Sequence, residues 1–480
     1  MILQFLPARF RSLLWIVSIF IAVNTAIRLV LAVLDAGAPH SFAQWLAIFG
    51  VGLLFDLVAA SYLLIPFALL ALFFPNNARG NPTHAVTASA LLLCALAGIG
   101  FVCVAEILFW NEFTSRFNFI AVDYLIYSRE VLGNIRESYP LGTILSALFA
   151  GAAMVFLLIR KPFFRLAAGE AGGFAKRAVA AAMILALPAL SFAVVSDRVR
   201  DFLSNPSARE LSGDGYYEFM HAFRANDLDY YSYYPVISKA LARSNLQDEF
   251  TEAHSKSIFV NRDLAIERDV TAAEPEHRLN VVLVSMESHG ADFVGALGDT
   301  RGLSPNLDRL AKEGVLFTQL YATGLRTARG FEALTLSLPP TPGHTVLMRR
   351  KNKGMATLGG VFKEEGYDAL YLYGGYSYFA NMRDFFAGNG YTVIDRTALA
   401  KEEITHETVW GVADEDMFRR AIKELDTRTA SGRPVFAHVM TTSNHRPFTY
   451  PDKRIDIPSG QSREGVAKSS NWDQNAKFAS

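Results

Sequence analysis

Cysteine is almost absent from this chain: Cys94 and Cys103 are the only two among 480 residues, and both lie inside an apolar run. A disulfide scaffold is excluded, and so is structural zinc of the cysteine-rich kind. Charge of one sign is lacking too, because Lys plus Arg (46) equals Asp plus Glu (46). A nucleic-acid binder should show a basic excess, so that class drops out. What the chain has in quantity is apolar residues, 51% of the total, with a mean hydropathy of +0.20. Its length exceeds what one hydrophobic core usually organises, so at least two units are expected. A membrane protein with a sizeable polar domain is what remains.

The apolar residues crowd into the first two hundred positions. A helix needs about 20 mainly apolar residues to cross the hydrocarbon core, and five stretches qualify: Leu13–Leu34, Trp45–Phe74, Ala85–Trp110, Leu141–Ile159 and Ala178–Val195. The second is long enough to call for a tilt, a break or an interfacial extension. Asp56 and Glu106 lie within the second and third. Carboxylates there are costly and often functional, but helix–helix contact or a place near the interface is the favoured reading. The first stretch, preceded by Arg9 and Arg11, reads as an uncleaved helix because no small-residue cleavage site follows it. Arg160, Lys161, Arg165, Lys176 and Arg177 fill the fourth connection, whereas Asp35–Gln44 has no Lys or Arg. Positive residues stay in the cytoplasm, so the N-terminus is expected inside and everything after about Ser196 outside.

The sequence divides accordingly into a membrane domain at 1–196, a linker at 197–279, a catalytic domain at 280–465 and a polar tail at 466–480. The linker is rich in aromatics, among them Tyr216, Tyr217, Phe219, Phe223, Tyr230, Tyr231, Tyr233 and Tyr234. They suit a segment lying along the membrane interface or an ordinary connector covering the outer domain. After Asn280 strands alternate with helices. Val281–Val284, Val315–Tyr321, Ala369–Tyr373, Thr392–Ile394 and Val435–Met440 read as strands. Ser304–Glu313, Phe331–Leu336, Thr357–Glu365, Asn381–Gly388 and Asp414–Leu425 read as helices, the first capped by Ser304. This alternation predicts an α/β sandwich with a mostly parallel sheet, whose ligands sit beyond the carboxyl ends of the strands.

Residues at those ends carry chemistry. Glu287 follows the first strand closely, well placed for a cation. In YATGLRTARGFE (321–332), Thr327 lies between Arg326 and Arg329 at a helix entrance. A hydroxyl flanked by anion-binding forks is how a phosphoryl-transfer nucleophile would be presented, although a threonine alone there is more often a helix cap. His445, with Asn444 and Arg446 beside it, follows the last strand, and Asn381 and Arg383 lie near the Tyr373–Gly375 turn. Polar groups after several different strands point to a site, though Arg383 alone would be a solvated helix residue.

With its five spans, its aromatic linker and the segments NVVLVSMES, TGLRTARGFEA, LYGGYSYFANMRDFF and FAHVMTTSNHRPF, the chain resembles the lipoteichoic acid synthase-like phosphoglycerol transferases. These form part of the sulfatase branch of the alkaline phosphatase superfamily. The resemblance implies a multi-pass α-helical membrane domain followed by a sulfatase-like α/β domain. It implies Thr327 as nucleophile, and Glu287 with Thr327 as ligands of a divalent metal, often manganese, with magnesium or zinc as alternatives. It implies substrate contacts from His445, Arg329, Asn381, Arg383 and Asn444. It further implies phosphatidylglycerol as donor, an envelope glycan or glycolipid as acceptor, and residence in the bacterial inner membrane with the catalytic domain outside the cytoplasm. A sulfatase formylglycine needs Cys or Ser where this chain has Thr327, which argues against sulfate-ester hydrolysis. Phosphoethanolamine transferases share the fold and nucleophile type, but usually have disulfides in the outer domain. The family's Asp-His metal pair is missing after His445, so the sequence is expected to be C-terminally truncated, weak in metal binding and possessed of uncovered apolar surface, or else an inactive relative. The LYGGYSYFANMRDFF segment departs from the synthases proper, which opens the acceptor to periplasmic glucans or other envelope sugars.

Overall fold

A computed structural model describes residues 7–35, 41–74, 81–169, 172–224, 236–253, 258–259, 268–269, 275–324, 326–339, 341 and 343–445. Tyr230, Tyr231, Tyr233, Tyr234, Arg446 and the expected tail at 466–480 lie outside the described residues. The chain forms two compact units: 1–128 with 139–226, and 129–138 with 227–480.

The first unit is helical because its sequence is apolar around nearly the whole helix circumference. Five helices are long and apolar enough to cross a membrane: Ala8–Leu34, Phe42–Leu63, Pro82–Phe113, Leu141–Ala167 and Phe174–Val194. We label the main elements α1 (Leu13–Leu34), α2 (Phe42–Leu63), α3 (Ile65–Phe73), α4 (Pro82–Phe113), α5 (Phe119–Ile126), α6 (Ser128–Ser138), α7 (Leu141–Ala167) and α8 (Phe174–Val194). The overlong second stretch breaks at Leu64, where Pro66 near the start of α3 leaves no amide for the preceding turn. Ser41 and Gln44 close a reciprocal capping box on α2, and the Asn81 carboxamide caps α4. Phe10, Leu13, Phe67, Leu92, Leu96, Phe163 and Ile184 form one buried core, and Phe20, Leu31, Ile48, Trp110 and Leu211 another.

Asp56 proves to be a helix–helix contact, whereas Glu106 pairs with the bend that follows its own helix. Arg28 of α1 pairs with Asp56 of α2 at 2.8 Å, both fully buried, and Glu106 of α4 pairs with buried Arg116. The remaining guanidinium donors reach backbone carbonyls of the segment after α8. Arg28 Nε bonds Leu211 O at 3.1 Å and its Nη2 bonds Gly213 O at 3.1 Å, while Arg116 Nε bonds Glu210 O at 3.1 Å. Here α9 (Pro206–Leu211) and α10 (Gly215–Arg224) follow. Tyr216 packs on Phe20 at 5.2 Å and Tyr217 on Phe55 at 4.4 Å. These linker aromatics therefore pack on the membrane helices, and the first unit continues beyond residue 196 to Asn226.

The second unit contains α11 (Lys239–Ala253), a short antiparallel pairing of β1 (Ile258–Phe259) with β2 (Arg268–Asp269), and the α/β domain. Its strands are β3 (Val281–Ser285), β4 (Asp368–Tyr373), β5 (Thr392–Ile394) and β8 (Val435–Met440), in the parallel order β3-β8-β4-β5. A two-residue antiparallel ladder joins β6 (Glu407–Thr408) to β7 (Gly411–Val412). Every residue of β8 is buried, as a central strand covered on both faces requires. Helices α12 (Pro305–Glu313), α13 (Thr327–Leu336), α14 (Leu358–Glu364), α15 (Met382–Gly388) and α16 (Asp414–Thr429) fall where the pattern placed them. Two expectations fail. Val315–Tyr321 forms no strand; it runs exposed, with Val315 83% and Leu320 81% accessible, because among the described residues no strand pairs with it. Ser304 does not cap α12 through its side chain, since its hydroxyl instead binds Gly295 N and Asp308.

Candidate active site

A parallel sheet brings all its carboxyl ends to one edge, so the segments after β3, β8 and β4 share that edge. Register sets Ser285 opposite Met440 and Tyr373 opposite Met440 in turn. Glu287 comes two residues after β3. Its amide donates to Thr441 Oγ1 at 2.8 Å, which fixes the post-β3 turn to the post-β8 turn. Asn444 Nδ2 donates to both Glu287 O and Ser288 O at 3.0 Å, and Ser288 takes a left-handed backbone (φ 49°). The carboxylate of Glu287 is thus held at its root and accepts the Ser288 hydroxyl at 3.0 Å.

Thr327 is the first residue of α13. Buried Phe331, one turn on, packs edge-on against Tyr371 of β4 at 5.8 Å and against Phe386 of α15 at 5.4 Å, anchoring the helix to the sheet. The helix start thereby meets the β3 turn: Thr327 Oγ1 donates to Glu287 Oε2 at 2.8 Å. The N-cap position of α13 falls to Arg326, and the Thr327 hydroxyl is directed to Glu287, so Thr327 is not the cap residue.

The other expected residues sort into two groups. Asn444 joins the Glu287 turn, and its Oδ1 is buried with no hydrogen-bond partner among the described residues. His445 stacks on Trp410, ring centroids 3.9 Å apart. Three expected substrate contacts turn elsewhere. Arg329 is buried; its Nη1 pairs with Glu332 at 2.9 Å and its Nη2 reaches Gly343 O at 2.6 Å, an interior brace that spends the fork. Asn381 has its Nδ2 on Leu347 O at 2.6 Å and a left-handed backbone (φ 58°), so it shapes the turn before α15. Arg383 pairs with buried Asp395 at 2.7 Å. Burial alone would raise the Asp395 pKa, but hydrogen bonds from Ser377 and Thr397, and then Arg383, hold it down to about 2.

Sequence reasoning missed Asp414, whose Oδ1 accepts the amides of Thr442 at 2.7 Å and Ser443 at 3.0 Å and so shapes the loop carrying Asn444 and His445. Burial pushes the Asp414 carboxyl up, and these amides pull it back. Its position at the start of a helix after a small-residue turn was the available signal. Trp410 was missed as well, since nothing in sequence links it to His445.

Glu287 and Thr327 are hard oxygen donors of the kind a divalent cation takes. Adjacent ligands of an octahedral ion with bonds near 2.1 Å stand about 3 Å apart, close to the 2.8 Å separating these two oxygens. The pair fits such an ion in chemistry and spacing. Among the described residues no cluster of three or more His, Cys, Asp and Glu side chains adds to it.

Residues 279–462 match the Sulfatase family. The chain is 29% identical over 160 residues to Phosphoglycerol transferase I of Xanthomonas campestris pv. campestris (strain B100); the match covers 30% of this chain and 22% of that protein. The chain thus spans about a fifth of the length of the curated relatives it matches. Among solved structures it is similar to a protein in the alkaline phosphatase superfamily from Vibrio parahaemolyticus, at 32% identity and a TM-score of 0.44, covering 52% of this chain and 60% of that one. It is also similar to the lipoteichoic acid synthase LtaP from Listeria monocytogenes, at 19% identity and a TM-score of 0.36, covering 42% and 49% respectively.

Proposed function

We propose, from the match of residues 279–462 to the Sulfatase family and the five membrane-length helices that precede them, that the chain is a membrane-anchored transferase of glycerophosphate. The donor is phosphatidylglycerol, the carrier is Thr327, and the acceptor is a hydroxyl of an envelope glycan or glycolipid. The observation that carries this reading is the 2.8 Å contact of Thr327 Oγ1 with Glu287 Oε2 at the carboxyl edge of the sheet.

The residues divide the work as follows. The Thr327 hydroxyl hydrogen points at Glu287 Oε2, so the carboxylate orients Oγ1 and takes its proton as Oγ1 attacks phosphorus. A bond forms between Thr327 Oγ1 and phosphorus, the phosphorus–oxygen bond to diacylglycerol breaks, and the leaving oxygen takes a proton from water. An acceptor hydroxyl then attacks the same phosphorus, giving its proton to the hydroxide left by that water, and Thr327 Oγ1 departs with the proton that Glu287 had taken. Asn444 and Thr441 keep the Glu287 turn in place, and His445 contacts the glycerol headgroup. Glu287 and Thr327 would supply ligands to a divalent cation, manganese by preference, which when bound would lower the hydroxyl's proton affinity and offset phosphate charge. A lipid donor gives the anchoring its sense, because the headgroup lies at the bilayer surface where the domain is tethered. We place the domain on the extracytoplasmic side, from the cationic fourth connection and the lack of Lys and Arg in the first one.

Detergent-solubilised protein incubated with labelled phosphatidylglycerol and manganese is expected to release diacylglycerol and to carry a glycerophosphate adduct on Thr327, read by mass spectrometry. Thr327→Ala should abolish both, and Glu287→Gln should lower release by at least about a hundredfold. Release that persists in Thr327→Ala would remove the proposed nucleophile.

A further inference from the structure

Helix α6 sits in sequence between two membrane-length helices, yet it is part of the second unit. Its contacts there fall at positions 130, 133, 134 and 137, the i, i+3, i+4, i+7 spacing of one helix face. Glu130 is buried and accepts the hydroxyl of Tyr378, in the turn after β4. Gly133 lies against Val409 so closely that a Cβ there would collide with Val409 Cγ2. Asn134 Oδ1 accepts the indole N–H of Trp410 at 3.4 Å, and Glu137 Oε2 lies 3.5 Å from the Val409 amide. Arg129, Leu132 and Arg136, on the other side of the helix, are exposed. An amphipathic segment has thus turned its polar, small-residue face onto the β6–β7 turn.

What that turn holds gives the contact its meaning. Trp410 is buried, meets Phe379 edge-on at 5.5 Å, and stacks its indole on His445. The indole N–H is satisfied by Asn134, so the ring's in-plane orientation is set from α6 and its face is presented to the imidazole. We propose that α6 is a positioning element of the candidate site: its Glu130–Glu137 face seats Trp410, and Trp410 holds the His445 ring. The inference rests on the transferase reading for the role of His445, but the docking and the positioning can each be measured without turnover.

The first test introduces Gly133→Cys and Val409→Cys into the full chain with Cys94→Ala and Cys103→Ala. The Cβ of residue 133 would lie 3.2 Å from Val409 Cβ, slightly inside the usual disulfide span and within reach of a small shift. Mild oxidation in native membranes should link residues 133 and 409, as seen by peptide mapping, and the linked protein should keep its diacylglycerol release. Failure to link, or linking that costs activity, would overturn the docking. The second test measures carbethoxylation of His445 by mass spectrometry. Gly133→Leu, which pushes the helix off Val409, and Trp410→Ala should each speed it severalfold, while Trp410→Phe should not. An unchanged His445 rate in both would overturn the positioning role. With labelled donor, Gly133→Leu is expected to raise KM about tenfold with little change in kcat, and to add nothing in a Trp410→Ala background. Additive losses would mean that α6 acts by another route. Absence of donor turnover in the parent chain would sink the transferase reading and leave the cross-link and His445 results standing.

Discussion

On strand β8 the imidazole of His438 is entirely buried, bound through Nε2 to Ser285 Oγ at 2.6 Å and ringed by Phe331, Tyr371 and Phe386. Loss of hydration drives its pKa down to about 3. The unfolded chain's histidine protonates near 6.5, so between these values the unfolded state binds a proton that the folded state refuses. Stability must therefore fall as pH drops from about 6.5 toward 3, by up to about 1.4 kcal/mol per pH unit from this group. His438→Gln, which keeps a partner for Ser285, should flatten the acid side of a melting-temperature profile; an unchanged profile would contradict the assignment. At this scale the sequence was informative where chemistry follows from position. Glu287 after a strand and Thr327 at a helix entrance were legible, and they meet. Arg329 was misread because a side chain's direction depends on its partner. Glu332, three residues on, offered the i+3 pairing that takes the guanidinium inward. The burial of that pair was not visible in the pattern.

Among the elements, the pairing of α1 with α2 through Arg28 and Asp56 is sensitive to mutation because it is so well buried. Arg28→Ala would leave a carboxylate without its counter-charge and the carbonyls of Leu211 and Gly213 without their donors. A loss of about 3–5 kcal/mol is expected, seen as a lowered melting temperature in detergent, and Asp56→Ala in the same chain should recover part of it. Equal losses in the single and double variants would show that the charge pairing is not the cause. Long periodic or wholly apolar stretches revealed their structure, and so did the strands bracketed by helices. The break after Leu63 was foreshadowed by the length of the stretch and by Pro66. Val315–Tyr321 was not readable, for an apolar run becomes a strand only if a neighbour accepts its backbone, and none of the described strands lies beside it.

For the molecule as a whole, sidedness is the property most directly open to test. A reporter enzyme that works only outside the cytoplasm should be active when joined after Asn226 and inactive when joined after Gly169, as the distribution of Lys and Arg requires. The reverse pattern would invert the topology and remove lipid headgroups of the outer leaflet from the domain's reach. Both the five spans and the α/β domain were evident in the sequence, whereas the place where one unit yields to the next was not. Arginines rooted near the first and third spans grip the main chain at 210–213, and no local pattern announces a bond across more than ninety positions. Those grips bear on how such proteins can be recombined. A chimera that sets this chain from residue 197 onward behind foreign spans would part the backbone at 210–213 from Arg28 and Arg116; exchange keeps those grips only if residues 197–224 travel with the spans, and keeps the Trp410 contact only if α6 travels with the outer unit.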